Sequence, residues 1–131
     1  MNQLSKQAKD AINTLQQCHA ICLTMATVHC TEMGGEHAQP QHIRLMLDCA
    51  AICAFTSDAV GRKSQFHNRF AALCADVCKT CADDCENIGG MTESVAICRT
   101  CVDACTKLAR LDHEDILTLA SQLPPAGNAA K

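Results

Sequence analysis

Twelve cysteines in a chain of 131 residues set the chemistry to look for, and their spacing narrows it. In the stretch LCADVCKTCADDCE, the thiols of Cys74, Cys78, Cys81 and Cys85 follow steps of four, three and four. Residues three and four apart stand one above another on a helix, so these thiols form one stripe along its axis rather than a loop-borne cluster. The same spacing recurs at Cys18 and Cys22, at Cys49 and Cys53, and at Cys98, Cys101 and Cys105, each in a segment without Pro or Gly. Only Cys30 stands apart. Four thiol-faced helices in one short chain describe a bundle lined with sulfur.

Cysteine packs well as a small hydrophobe, but a core built from so many oxidisable groups would gain nothing over Ala or Val. Disulfides fit poorly, because helical neighbours have β-carbons about 5 to 6 Å apart and a disulfide needs about 3.5 to 4.5 Å. A two-coordinate soft metal fits better. With a metal–sulfur bond of about 2.3 Å, as in zinc thiolates, a sulfur–metal–sulfur line spans about 4.6 Å. Thiolates and thioethers with few carboxylates select Cu(I). Buried thiolates are prohibitive alone, yet about one Cu(I) per thiolate leaves the core near neutral. Uptake must then release the protons that the apo thiols hold.

Zinc or another soft metal is the alternative cargo, with Cys78, Cys81, Cys98 and Cys101 able to contribute to a tetrahedral set. An iron–sulfur carrier fits less well, since ferredoxin runs wrap a cluster in a loop and commonly end in Cys-Pro, whereas Glu86 follows Cys85 here. A thiol redox enzyme needs one electropositive, partly exposed cysteine, and none stands out. The residues carry no expectation of catalysis.

Composition points the same way. The length fits one domain able to bury a core without cross-links. The opening MNQLSKQAKDAINTLQQC lacks the apolar run and cleavage site of a signal peptide, and no segment has the unbroken apolar length of a membrane span. The expected setting is the cytoplasm, with reduced thiols. A net charge of -3 with interspersed signs offers no footprint for nucleic acid. Aromatics are limited to Phe55, Phe66 and Phe70, which leaves few stacking platforms.

Helix 1 is expected over about 4–33, ended by a left-handed cap at Gly34 and Gly35. Its heptad seam reads Ala11, Leu15, Cys18, Cys22, Met25, His29, flanked by Cys30 and Met33. His37, in GGEHAQ, reads as a solvated loop residue. Pro40 suits the first turn of helix 2, which runs to about Gly61 with the seam His42, Met46, Cys49, Cys53, Thr56, Val60. Ser64 can cap helix 3, which runs to about Ile88; its second stripe, Phe66, Phe70, Leu73 and Val77, reads as packing against a neighbour. Helix 4 starts near Thr92 with the seam Met91, Ser94, Cys98, Cys101, Cys105, Leu108. Asp112 can recap or kink it before Ile116, Leu117 and Leu119. Residues 1–123 form the bundle and 124–131, PPAGNAAK, a flexible tail.

Four long helices with short connections predict an all-α, antiparallel up-down-up-down four-helix bundle with a cysteine-lined core. Cys74 then faces Cys105, Cys78 faces Cys101, and Cys81 faces Cys98. At one end gather His29, Cys30, Met33, His42, Met46, Cys85 and Met91, with Met25 nearby; at the other lie Leu15, Val60, Ala71 and Leu108. The first is a mouth of soft ligands and the second an apolar plug. His19, His67 and His113 read as surface or structural residues, and Lys79, Arg99 and Lys107 as an outer solvated face.

The runs LDCAAIC, LCADVCKTCADDC and ICRTCVDAC resemble the cysteine-rich four-helix copper storage proteins, over most of the chain from Cys18 to Cys105. The resemblance implies a bundle storing many Cu(I) ions, His and Met ligands at an open end, and a homotetramer of the cytosolic type. Apart from the resemblance, a copper chaperone or a small thiol is the expected exchange partner. The chain differs in carrying a single C-x-x-x-C on each of helices 1 and 2, and the unpaired Cys30.

Overall fold

A computed structural model describes residues 4–112. Ser5 opens the first helix, its hydroxyl accepting the Ala8 amide at 3.2 Å, which satisfies one of the amides a helix start leaves unpaired. We call α1 the rod that begins as α-helix over Lys6–Thr24, continues as a π-helical segment over Met25–Cys30 and closes with a turn over Thr31–Met33. A 3-10 turn, Gly35–Ala38, leads to α2 (Pro40–Gly61), followed by α3 (His67–Ile88) and α4 (Thr92–Ala109). Ser64 precedes α3 with its hydroxyl accepting the Phe66 amide at 3.1 Å, so α3 starts at His67 rather than immediately after the serine.

The π segment changes the expected seam of α1. Met25 and His29 are only half-buried, and Ala26 and Cys30 take the core-facing places at 0% exposure. A π turn hydrogen-bonds to the fifth residue along and is wider than an α turn, so steps of four, from Cys22 to Ala26 to Cys30, hold one face where a heptad would alternate four and three. Side chains feed this departure. The Thr31 hydroxyl donates to the Ala26 carbonyl at 3.0 Å and the Thr27 hydroxyl to the Leu23 carbonyl at 2.8 Å, occupying acceptors beside the widened turn.

The glycine exits also differ from a left-handed cap. Gly34 has φ 70°, ψ −166° and Gly89 φ 84°, ψ 164°, a region that essentially only glycine occupies. The helices therefore end by turning sharply into extended backbone.

The sulfur contacts set the helix order. Cys49 meets Cys78 and Cys53 meets Cys74, so α2 and α3 run antiparallel. Cys22 meets Cys49 while Cys30 meets Met46, which makes α1 and α2 antiparallel. The sulfurs of Cys78 and Cys101 lie within 4.8 Å of each other, and Cys74 neighbours Cys105 and Cys81 neighbours Cys98, the facing layers that the sequence predicts for α3 and α4. The result is the up-down-up-down bundle.

At the end away from the Gly34 loop, Leu15, Val60, Ala71 and Leu108 are buried as expected. His67 ties this end together, its Nε2 donating to the Leu111 carbonyl at 2.8 Å, across the start of α3 and the residues after α4. Leu15 has 0% exposure in this plug, so Leu15→Ala should cost about 2 to 5 kcal/mol by leaving a cavity. Urea unfolding of the apoprotein followed by circular dichroism checks this; a loss under about 1 kcal/mol would mean that the plug is not tightly packed.

On the outside, Arg99 spans Asp83 at 2.8 Å and Glu86 at 2.9 Å, and Lys79 reaches Asp83 at 2.9 Å, an exposed network joining α3 to α4. The Phe66 stripe packs in part as its pattern predicts: Phe70 of α3 meets Phe55 of α2 edge-on with ring centroids 4.8 Å apart and Val77 packs against the core, while Phe66 and Leu73 are exposed. The cysteine seam claims the centre of a bundle this narrow, which leaves Phe66 and Leu73 outside. No described helix is long and apolar enough to cross a membrane. Asp112 closes the described part of the chain; Ile116, Leu117, Leu119, His113 and the 124–131 tail lie outside it.

Candidate metal centre

All twelve cysteines are free thiols with 0% exposure. Along single helices, Cys18 and Cys22, Cys74 and Cys78, and Cys101 and Cys105 stand with their sulfurs 3.9 Å apart. That is less than the roughly 4.6 Å of a linear sulfur–metal–sulfur bridge, so linear bridging needs a small rotamer shift. Between helices the sulfurs are as close, with Cys53 to Cys78 at 3.5 Å, Cys22 to Cys98 at 3.6 Å and Cys53 to Cys101 at 3.7 Å. Cys18, Cys22, Cys49, Cys53, Cys74, Cys78, Cys98 and Cys101 therefore form a continuous column, with each sulfur in reach of partners on neighbouring helices.

The mouth has a different composition. Cys30 Sγ is its centre, 3.4 Å from His42 Nε2, 3.9 Å from His37 Nδ1, and 3.9 Å from the sulfurs of both Met46 and Met91. One thiol, two thioethers and two imidazoles thus converge. The π segment aims Cys30 inward, the first two turns of α2 supply His42 and Met46, and Met91 precedes α4. A surface dent lined by Cys85, Gly89, Gly90 and Met91 reaches the same place. His29 stacks edge-on against His37 at 5.5 Å, and its Nε2, like the Ser94 hydroxyl in the α4 seam, is buried without a hydrogen-bond partner among the described residues. Met33 is 60% exposed, outside this cluster, and Met25 lies half-buried on the rim of the core.

Two residues of the mouth went unread in the sequence. His37 is half-buried against Cys30 rather than solvated, because the 3-10 turn folds the loop back over the bundle end. Asp84 holds His42 from behind, its Oδ2 2.5 Å from Nδ1. That bond leaves Nε2 facing Cys30, the arrangement by which a carboxylate orients a metal-binding imidazole. The adjacent placement of Asp84 and Cys85 in the opening stretch was the available signal. His19 is likewise not free, its Nδ1 donating to the Ala50 carbonyl at 2.8 Å and tying α1 to α2.

Hydrogen bonds between neighbouring thiols divide the core, pushing Cys18, Cys53, Cys78 and Cys81 up and Cys22, Cys49 and Cys101 down, while burial raises every one of them. Burial, with help from the nearby Cys85, pushes the Cys30 thiol up from 9.0 to about 11. The Cys18 thiol, pushed up by its neighbours Cys101 and Cys22, keeps its proton well above the ordinary thiol range. An incoming cation must displace these protons.

A four-helix bundle whose interior is a column of free thiols, closed at one end and soft-liganded at the other, defines a thiolate metal-binding bundle. The family model described as copper storage protein matches residues 4–110, and the chain belongs to that family. A crystal structure of the Nmul_A1745 protein from Nitrosospira multiformis superposes with a TM-score of 0.79 at 37% identity, covering 82% of this chain and 98% of that one. The Cu(I)-bound copper storage protein BsCsp3 superposes with a TM-score of 0.73 at 29% identity, covering 79% of this chain and 99% of that one. In Bacillus subtilis (strain 168), the cysteine-rich protein YhjQ is 35% identical over 86 residues, 65% of this chain and 75% of that protein.

Proposed function

We propose that this protein stores and buffers copper, holding multiple Cu(I) ions as cargo on the thiolates of its core. The observation that carries this reading is that all twelve thiols are buried and free, eight of them in one contiguous column, with no described disulfide to consume them. Each capture converts R–SH and Cu⁺ into R–S–Cu and H⁺, so the charge of the core stays near zero as it fills. A bundle of this kind is a reservoir rather than a catalyst. Free thiols also need a reducing compartment, which supports a cytoplasmic setting. Anaerobic loading of reduced apoprotein with Cu(I), followed by gel filtration and counting of copper against protein, tests the reading; one or two ions per chain would refute it.

Copper enters, on this reading, through Cys30, His42, Met46 and Met91, with His29 and His37 beside them. Neutral thioethers and imidazoles accept Cu(I) without losing a proton and pass it to thiolates that bind it more tightly. A chaperone or small thiol would dock at this end to exchange copper. The exposed Phe55, Phe66 and Leu73 on the α2–α3 side support self-association, which the family resemblance makes a tetramer.

Asp84 should act here through His42. Asp84→Leu removes the acceptor for Nδ1 and should slow Cu(I) uptake about 10- to 100-fold, the usual cost of losing such a partner, while final capacity stays the same. Asp84→Asn keeps an acceptor and should restore most of the rate. Stopped-flow transfer from a Cu(I) donor reads the difference, and equal rates in Asp84→Leu and the parent protein would remove Asp84 from the entry path.

A further inference from the structure

We propose that the same core is also a two-site receptor for a tetrahedral divalent thiophilic cation, zinc being the best fit, held in two separate thiol quartets. A regular tetrahedron with metal–sulfur bonds of about 2.3 Å has sulfur–sulfur edges of about 3.8 Å. The first quartet is Cys18, Cys22, Cys49 and Cys98, whose sulfurs lie within 4.8 Å of one another. Its closest edges are 3.6 Å for Cys22–Cys98, 3.9 Å for Cys18–Cys22, Cys18–Cys98 and Cys49–Cys98, and 4.0 Å for Cys22–Cys49. The second is Cys53, Cys74, Cys78 and Cys101, with edges of 3.5 Å for Cys53–Cys78, 3.7 Å for Cys53–Cys74 and Cys53–Cys101, and 3.9 Å for Cys74–Cys78. Both stand at tetrahedral spacing without any metal present.

Each quartet draws on three helices, so the fold holds four donors around one point. That closed four-sulfur set is what structural zinc sites use. Linear two-coordination, by contrast, requires these sulfurs to spread apart. The remaining quartet, Cys18, Cys49, Cys53 and Cys78, borrows two thiols from each of the others. It is therefore excluded when both outer quartets are filled and available when both are broken. The count follows from this overlap: two ions in the intact protein.

Loading a quartet balances as Zn²⁺ + 4 R–SH → [Zn(SR)₄]²⁻ + 4 H⁺. The residual negative charge on each buried site is a cost that Cu(I), one positive charge per thiolate, does not incur. Zinc should thus occupy the core when copper is scarce and leave as Cu(I) arrives. This proposal stands on thiol geometry and goes beyond the storage reading; either can fail alone.

The test is anaerobic titration of the reduced full chain with Co(II), whose visible spectrum reports tetrahedral thiolate ligation, and then with Zn(II) to displace it. The expected result is saturation at two ions per chain with a four-sulfur spectrum. The double variant Cys22→Ser, Cys74→Ser breaks both outer quartets and spares the shared one, so it should bind a single ion. Cys49→Ser with Cys53→Ser breaks all three and should bind none. Saturation of the parent protein at any count other than two, or a spectrum without tetrahedral sulfur, overturns the proposal whatever the variants do. Equal binding by the two double variants, with helicity intact, overturns it as well. A parallel Cu(I) titration that still reaches many ions would show that storage survives a negative zinc result.

Discussion

Replacing the core cysteines by serine, one after another, is expected to lower the Cu(I) capacity of the reduced protein step by step, by about one ion for each thiolate lost. Charge sets that slope, because a buried thiolate is tolerated only with its own monovalent cation beside it. Geometry allows it across the eight thiols of the three quartets: Cys53 alone reaches Cys74, Cys78 and Cys101 at 3.5 to 3.7 Å, so the loss of one sulfur leaves its neighbours with other partners. Cys81, Cys85 and Cys105, which belong to none of the three quartets, should count as fully as the rest. This separates Cu(I) from a divalent ion, whose binding should collapse in whole quartets. Copper and thiol counted after gel filtration give the slope, and a total loss of capacity on removing one pair would show a single cooperative cluster rather than a distributed store.

The mouth should control rate and leave the amount almost untouched. Met46 and Met91 each place a thioether 3.9 Å from Cys30, and both are buried. Leu is close to Met in volume, so Met46→Leu with Met91→Leu should preserve packing while removing two neutral soft ligands. Uptake should slow by roughly tenfold or more, equivalent to about 1.4 kcal/mol added to the entry barrier. Final capacity should stay within about one or two ions of the parent value, since the inner thiolates remain and each holds about one. Stopped-flow transfer from a Cu(I) donor measures the rate and gel filtration the end point. An unchanged rate would move entry elsewhere; a large fall in capacity would make the methionines part of the store.

The sequence spelled out α2, α3 and α4 because Cys, His, Met and Val recur there at steps of three and four. It fixed the plug at Leu15, Val60, Ala71 and Leu108 for the same reason. It misdirected the second half of α1, where Met25 and His29 fit a heptad but the chain takes a π turn; the hydroxyls of Thr27 and Thr31 that sustain the turn carry no periodic signal. His37 escaped because a short 3-10 turn, not a helix face, positions it. Asp84 escaped because its partner His42 lies on another helix, 42 positions away. The stripe of Phe66, Phe70, Leu73 and Val77 predicts packing against a neighbour, which holds for Phe70 and Val77, but Phe66 and Leu73 stay exposed because the cysteines fill the interior.

The π segment also works as a phase shifter between two halves of one rod. Up to Cys22, the first helix keeps step with the thiol column; beyond it, the wider turn resets the rotation so that Cys30 points at His42 instead of sliding off to the side. Each residue of an ordinary helix turns the chain by about 100°. Loss of a single residue between Met25 and Cys30 would therefore swing the gate thiol roughly a quarter-turn or more around the rod while leaving Cys18 and Cys22 in place. The reservoir and its gate are set by separate stretches of the same helix, so the alignment between them can drift by insertion or deletion without any change in what the core can hold.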